Sequence, residues 1–338
     1  MRSSVVLIGH GYWGKNIARN LHELGGLGGV CDADPDSLRE AASRYPDVRT
    51  YPSFTDVLAD EAVEAVAIST QARAHAELTI QALEAGKDVY VEKPLALNYG
   101  DGRRMVDASE RLGRILMVGH LLEYHPAVRA LEALILSGEL GRLQYVYSNR
   151  LNLGRFRREE NALWSFAPHD VAVILRLAGD SPIEVVATGG AYLQPNVADT
   201  TVTSMLFEDG LRAHIFVSWL HPYKEQRLVV VGSEKMAVFD DRAPAGAKLV
   251  VYDQGATWVD NVPVPRNGEG VAVAYGDGEP LRLEMEHFIE CVRSRRQPVT
   301  DGWSGLRVLR VLQAAQRSLQ MGGSRVSLDQ PSRAIALL

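Results

Sequence analysis

The stretch Val5-Val6-Leu7-Ile8-Gly9-His10-Gly11-Tyr12-Trp13-Gly14 decides how the first third of the chain folds. Four apolar residues run into a Gly-x-Gly-x-x-Gly turn, and Asn16–Leu24 follows with Ile17, Leu21 and Leu24 on one helical face. The glycine spacing alone is a weak signal; the strand before it and the helix after it give it meaning. The first glycine permits a tight turn, the second lets a pyrophosphate reach the backbone, and the third lets helix and strand pack closely. The helix start then offers N–H groups and a partial positive charge to phosphate. About 20 residues on, Asp32 closes the weaker apolar run Gly28–Cys31, where a carboxylate can accept from adenosine ribose hydroxyls and repel a 2′-phosphate. Ala33 follows rather than Arg, which favours NAD over NADP. A glycine-rich turn that binds nothing is the competing reading, and it leaves strand, helix and acid unexplained together.

Outward from this turn, Val63–Ile68, Val89–Val91 and Ile115–Val118 read as further short buried strands. Helices are expected over Pro35–Tyr45, with Asp34 as N-cap, and over Ala74–Ala85, ended by Gly86. Such alternation implies right-handed crossovers and a doubly wound parallel sheet. The pattern changes after Gly119–Tyr124. Arg142–Arg150, Glu184–Thr188, Thr200–Phe207, Leu211–Ser218, Gln226–Val231 and Met236–Phe239 read as consecutive strands, with a hairpin turn at Glu208-Asp209-Gly210. Val202, Ser204 and Leu206 share one face, so that strand has no simple polar side. Helices are expected over Pro126–Leu136, Pro168–Leu177, Leu283–Ser294 and Gly305–Gln320, and a long Gly- and Pro-rich loop over Asp260–Pro280. The fold class is therefore α/β: a dinucleotide-binding doubly wound domain over 1–122, then an α/β domain with a mostly antiparallel open sheet over 123–338.

Composition narrows the class of function. The 338 residues fit about two domains, and 46% hydrophobic with 23% charged residues is ordinary for a globular chain. A net charge of −6 gives no drive toward nucleic acid or an anionic membrane. Cys31 and Cys291 stand outside any Cys/His cluster, so no metal site is expected. No apolar run approaches a membrane span of about 18 residues, and Val5–Ile8 is too short for a signal-peptide core. A cytoplasmic protein is the expectation.

Glu92-Lys93-Pro94 follows the strand Val89–Val91 directly. Ligands of open α/β sheets bind beyond the carboxyl ends of the strands, so Lys93 is aimed toward the cofactor region, where an amine can hold or donate a hydroxyl proton. A solvated surface lysine is an equal reading from position alone. The combination of Gly9–Gly14, Asp32, Ser69-Thr70 with downstream His75, Glu92-Lys93-Pro94 and the C-terminal run from Leu281 to Leu319 resembles the Gfo/Idh/MocA oxidoreductase family over nearly the whole chain. That resemblance implies a Rossmann domain followed by a mostly antiparallel α/β domain for substrate binding and oligomerisation. It implies Lys93 as the catalytic lysine, often before a cis proline bond. It also implies cofactor contacts at Gly9, Gly11, Tyr12, Trp13, Gly14, Asp32, Ser69, Thr70, His75, Glu92 and Lys93.

In the family's second-domain motif an Asp stands four residues before a His. Here His169 matches the histidine, while Ser165 takes the aspartate position. Histidine suits a proton transfer near neutrality; a capping role behind Pro168 is the alternative, and Asp170 reads as structural. The basic segment from Ser148 to Arg158 would place Arg150, Asn152 and Arg155 at an anionic substrate. A solvated turn or an oligomer contact accounts for it equally well. Trp164 reads as a sugar-stacking or core residue, Tyr124 as a substrate contact by family position, and the isolated His10, His120, His125 and His221 as structural.

The reading is an NAD-dependent oxidoreductase in which Lys93 and His169 bracket a hydroxyl carbon of a sugar, by preference a nucleotide-sugar. The alternatives are a ketoreductase, a hydrolase or epimerase using NAD transiently, and a non-catalytic NAD-binding sensor. The resemblance also implies a homodimer or homotetramer.

Overall fold

A computed structural model describes residues 4–328 except Arg155, Glu159 and Gln254. The described residues divide into two compact units: 4–124 with Gly278–Leu309, and His125–Asp277 with 310–328. The first stretch of the first unit ends at Tyr124, and Gly278–Leu309 groups with it rather than with the second unit. Gly278–Leu309 returns to the first unit because its apolar face belongs to that core.

The first unit holds a six-stranded parallel sheet in the order β3-β2-β1-β4-β5-β6. Its strands are β1 (Val5–Ile8), β2 (Leu27–Cys31), β3 (Arg49–Tyr51), β4 (Ala65–Ile68), β5 (Asp88–Glu92) and β6 (Leu116–Gly119). They alternate with α1 (Gly14–Glu23), α2 (Pro35–Arg44), α3 (Phe54–Ala59), α4 (Ala72–Glu84) and α5 (Tyr99–Leu112). β1, β4 and β5 are buried along their whole length, as strands covered on both faces must be; β1 and β4 are wholly apolar, whereas β5 carries an acid at each end, Asp88 and Glu92. Asp34 caps α2 as expected, its carboxylate accepting from the backbone N–H of Asp36 and Ser37. Gly86 takes φ +77° just past α4. The short β3, α3 and α5 fall in stretches where no element was expected.

The second unit opens with α6 (Pro126–Leu136), β7 (Leu143–Leu153) and α7 (Ala162–Ala178). Then come β8 (Glu184–Gly190), β9 (Thr200–Leu206), β10 (Arg212–Ser218), β11 (Leu220–Gly232), β12 (Met236–Asp240), β13 (Leu249–Tyr252), β14 (Gly255–Val259), β15 (Val262–Arg266) and β16 (Gly270–Ala272). The helices α8 (Pro280–Ser294) and α9 (Gly302–Gln320) and the strand β17 (Val326–Ser327) finish the described chain. Nine strands form one sheet, β16-β13-β12-β11-β7-β10-β9-β8-β17, antiparallel except for the pair β7 and β10. In β9 the interior takes Thr201, Thr203 and Met205, so Val202 and Ser204 face out together.

Two expectations are corrected here. The stretch Asp260–Pro280 is not a plain loop, since β15 and β16 lie in it. α7 starts at Ala162, well before Pro168, because Asn161 supplies its cap: the Asn161 Oδ1 accepts from Trp164 N at 3.2 Å. No helix among the described residues is long and apolar enough to cross a membrane.

The chain enters α7 beside a buried carboxylate. Asp199 accepts from the backbone N–H of Tyr192 (2.5 Å) and Leu193 (2.9 Å) and from the Trp219 indole (2.5 Å), while Ala162 N donates to the adjacent Ala198 carbonyl at 2.9 Å. Burial pushes the Asp199 carboxyl up, but the three donors outweigh it and the net direction is down. A depressed carboxylate contributes stability that is present above its unfolded pKa of about 3.9 and is lost as pH falls through the folded value. Asp199→Asn should therefore cost about 3 kcal/mol at neutral pH by denaturant unfolding, and the gap to wild type should close on acidification below about pH 3.9.

Candidate active site

The turn after β1 is built by close approach. Gly9 has φ +95°, and a Cβ there would lie 2.7 Å from the Ser69 carbonyl oxygen. A Cβ on Gly14 would lie 1.9 Å from the Gly9 carbonyl oxygen. Gly11 is different: a Cβ there would meet nothing within 4 Å. Gly9 and Gly14 are thus required by the fold itself, whereas Gly11 borders open space where another molecule can come against the backbone. The start of α1 carries no side-chain cap and no acid in its first turn, which leaves the dipole end available to an anion. Asp32 stands at the end of β2 with one oxygen accepting from His10 N (2.7 Å) and the other from Asp34 N (2.9 Å). Its remaining lone pairs can accept from a ribose diol. These residues fit an adenine dinucleotide.

The signature segment after β5 is tied to the same turn. The Trp13 indole donates to Glu92 Oε1 at 2.6 Å, the Tyr90 hydroxyl to the same oxygen at 2.8 Å, and Lys93 N to Glu92 Oε2 at 3.1 Å. Burial raises the Glu92 carboxyl, with the Lys93 charge and the donors pulling it back. Trp13 and Glu92 therefore hold each other, while Tyr12 stands 83% exposed at the tip of the turn. The Lys93–Pro94 bond is cis, and Lys93 is half-buried. His75 is buried, with Nδ1 2.8 Å from the Pro94 carbonyl and Nε2 3.3 Å from the Thr70 carbonyl. Burial pushes this imidazole down, so it is neutral, with one ring proton for the shorter contact. It braces the Lys93-Pro94 segment against the Ser69-Thr70 strand end. Ser69 and Thr70 remain half-buried at the carboxyl end of β4.

His120, read from sequence as merely structural, is the residue that reading missed. It is buried at the end of β6, and neither ring nitrogen has a hydrogen-bond partner among the described residues. Burial pushes it down to about 3, and the Lys93 charge adds to this. A neutral imidazole beside Lys93 keeps both a donor and an acceptor to offer. Only its position after a β-strand end could have signalled this. Tyr124 is corrected in the opposite sense. It is fully buried, its hydroxyl 3.1 Å from Thr300 Oγ1 and its ring against His287, so it is a core residue rather than a substrate contact.

In the second unit, His169 is half-buried on α7, one turn after the buried Ser165. The adjacent Asp170 is structural, as expected: it receives Arg150 Nε (2.6 Å) and Nη2 (3.1 Å) and the Ser148 hydroxyl (2.6 Å). Arg150 is thereby committed to α7 and is not open to a substrate anion, a correction to its expected role. Arg157 sits 3.3 Å from Glu160, Arg158 is exposed, and Arg155 lies outside the described residues. Asn152 is half-buried on β7. The Trp164 indole donates to Gln316 Oε1 at 3.1 Å, which fixes its ring on the helix surface. Among the described residues no group of three or more His, Cys, Asp or Glu could hold a metal ion.

Comparison with known proteins identifies the family. The family model described as an oxidoreductase family with an NAD-binding Rossmann fold (GFO/IDH/MocA) matches residues 3–120, and that of the GFO/IDH/MocA C-terminal domain matches residues 128–238. The UDP-N-acetylglucosamine 3-dehydrogenase of Acidithiobacillus ferrooxidans is 27% identical over 91% of this chain and 94% of its own. Its crystal structure superposes with a TM-score of 0.84 at 25% identity, covering 95% of this chain and 99% of that one. The inositol 2-dehydrogenase of Burkholderia multivorans is 26% identical over 95% of both chains.

The glycines separate fold from binding. Gly11→Val should leave the thermal midpoint near that of wild type while weakening NADH, followed by its fluorescence, by more than about tenfold, or 1.4 kcal/mol. Gly14→Ala, whose Cβ has no room, should lower the midpoint itself.

Proposed function

The chain belongs to the GFO/IDH/MocA oxidoreductase family, and on that premise we propose that it is an NAD-dependent dehydrogenase acting on a hydroxyl-bearing carbon of a sugar, by preference a nucleotide-sugar. The observation that carries the reading is Lys93: it is half-buried at the carboxyl end of β5, with its backbone held by the same Glu92 that receives the Trp13 indole of the glycine turn. When bound, NAD accepts the hydride. The chain's own task is to orient the substrate and move one proton. In the oxidative direction the Lys93 amine takes the hydroxyl proton as the C–H bond breaks, and in the reverse direction the ammonium returns it. We propose a substrate-binding role for His169 of the second unit, held in place by the packing of Asp170 on Arg150 and Ser148. Ser165 stands where the family carries Asp, four residues before His169. The NAD preference rests on Asp32, whose charge stands where a 2′-phosphate would have to go.

The preference for a nucleotide-sugar is supported by the UDP-N-acetylglucosamine dehydrogenase, similar over 91% of this chain. The inositol dehydrogenase, similar over 95%, supports a free cyclitol as the second reading.

The purified protein should form NADH from NAD with one member of a panel of UDP-, dTDP- and GDP-sugars, free sugars and inositols. Lys93→Met should lose at least about 100-fold in rate and keep its affinity for NADH. NADP should be a poorer acceptor, and Asp32→Ala should narrow that difference. Full activity in Lys93→Met would sink the assignment of the proton-transfer group. Wild-type silence toward the whole panel would sink the dehydrogenase reading.

A further inference from the structure

Behind the signature segment, on the side of the sheet covered by α8, lies a second acid that the reaction as proposed does not use. Glu284 of α8 is completely buried, and its Oε2 is 3.2 Å from the Tyr90 hydroxyl. That same hydroxyl is 2.8 Å from Glu92 Oε1. The space for it is built into the neighbouring strand: a Cβ on Gly119 would fall 2.5 Å from the Tyr90 oxygen and 3.1 Å from Glu92 Oε1. The Tyr90 ring is held in turn by Phe288, one helical turn on from Glu284, with ring centroids 5.8 Å apart.

The count of protons decides what this arrangement is. Two oxygen–oxygen contacts at hydrogen-bond distance need two protons, and a phenol has one. One carboxyl must supply the other. Glu92 already accepts from the Trp13 indole and from Lys93 N, and the Lys93 charge lies beside it, so of the two carboxyls Glu92 is the better held as an anion. Glu284 has no such support. Its Oε1 has no hydrogen-bond partner among the described residues, and the charged groups that face it are Glu92 from β5 and Glu123 from the turn before α6, both of its own sign. Burial, then Glu92 and then Glu123 hold its carboxyl well above the usual range.

We propose that Glu284 is a permanently protonated acid that donates to Tyr90, so that Tyr90 donates to Glu92 and fixes the anion beside Lys93. Glu284 is thus a positioning residue. It touches neither cofactor nor substrate, and it sets the charge environment of Lys93 at two removes. The chain of bonds stands on the geometry alone. Its effect on turnover rests on the reading of Lys93 given above.

Two measurements on the full-length protein test this separately. The infrared difference spectrum between wild type and Glu284→Gln at neutral pH should contain the C=O stretch of a protonated carboxyl, lost in the variant. A difference containing only carboxylate bands overturns the proposal, whatever the enzyme's substrate. In the rate assay, Glu284→Leu removes the donor. The Tyr90 hydroxyl, no longer polarised by a donor, then binds Glu92 more weakly; Glu92 becomes harder to ionise and Lys93 loses part of its anion, so the limb of the kcat/KM profile governed by Lys93 should move to lower pH. The rate should fall about tenfold at an unchanged NADH affinity. Glu284→Gln keeps an N–H for the Tyr90 oxygen and should restore both rate and profile. A Leu profile identical to wild type, or a Gln variant as impaired as Leu, overturns the positioning role. If wild type oxidises no sugar, the functional reading fails and the infrared result alone decides the state of Glu284.

Discussion

A carboxylate taken out of water must be repaid in hydrogen bonds, and the first unit is arranged around that requirement at Glu92. Its donors come from three different places: Trp13 from the glycine turn, Tyr90 from its own strand, and the backbone of Lys93 from the segment that follows. Each place is thereby fixed relative to the others. The glycine turn and the segment that carries Lys93 are positioned by one carboxyl group, and Gly119 on the next strand is small because the Tyr90 hydroxyl needs the room. A shift of Glu92 would orphan an indole N–H and a backbone N–H together, at about 1–3 kcal/mol for each buried group.

The second unit repeats the device with different residues. Asp170 is buried, and it gathers the Arg150 guanidinium and the Ser148 hydroxyl from β7, locking α7 to the sheet. Glu92 precedes Lys93 by one residue, and Asp170 follows His169 by one. In both cases the side chain assigned to chemistry is half-buried, while its immediate sequence neighbour is the charged group that anchors the backbone. Breaking such a buried pair by removing one partner is costly because the other charge is left alone. This is how the backbone beside a candidate acid or base can be held still by a neighbouring side chain.

Much of this was legible in the sequence wherever one local rule had no competitor. Val5–Ile8, the Asp34 cap, Gly86 and the Pro126–Leu136 helix all read correctly because strand apolarity, capping and proline position act within a few residues. Reading failed where a local rule was overridden. Pro168 marks a helix start by propensity, yet α7 begins earlier because Asn161 caps it there. Pro263 and Pro265 look like loop residues, yet they alternate along β15, whose hairpin turns at Asp260 and Asn261, both at positive φ. Residues two apart point their N–H groups the same way, so both prolines can face the unpaired edge. The site's remaining members, Tyr90, His120 and Glu284, were invisible for another reason. Their roles arise from contacts across the sheet or from α8, and no spacing along the chain encodes a contact separated by 194 positions.

The NAD preference we propose depends on rigidity as much as on charge. A carboxylate at the end of a strand excludes a 2′-phosphate only if it cannot swing aside, since a mobile side chain would simply rotate into solvent. Asp32 is bound at both oxygens, to His10 N at 2.7 Å and to Asp34 N at 2.9 Å. The first of these donors belongs to the glycine turn and the second to the approach to α2, so rotation would release a backbone group on either side. Each release costs about 1–3 kcal/mol where the group is shielded from water. Against that cost a 2′-phosphate meets a fixed anion, whereas ribose hydroxyls meet an acceptor already aimed. The same two bonds that shape the turn therefore make Asp32 a selective group rather than only a charged one.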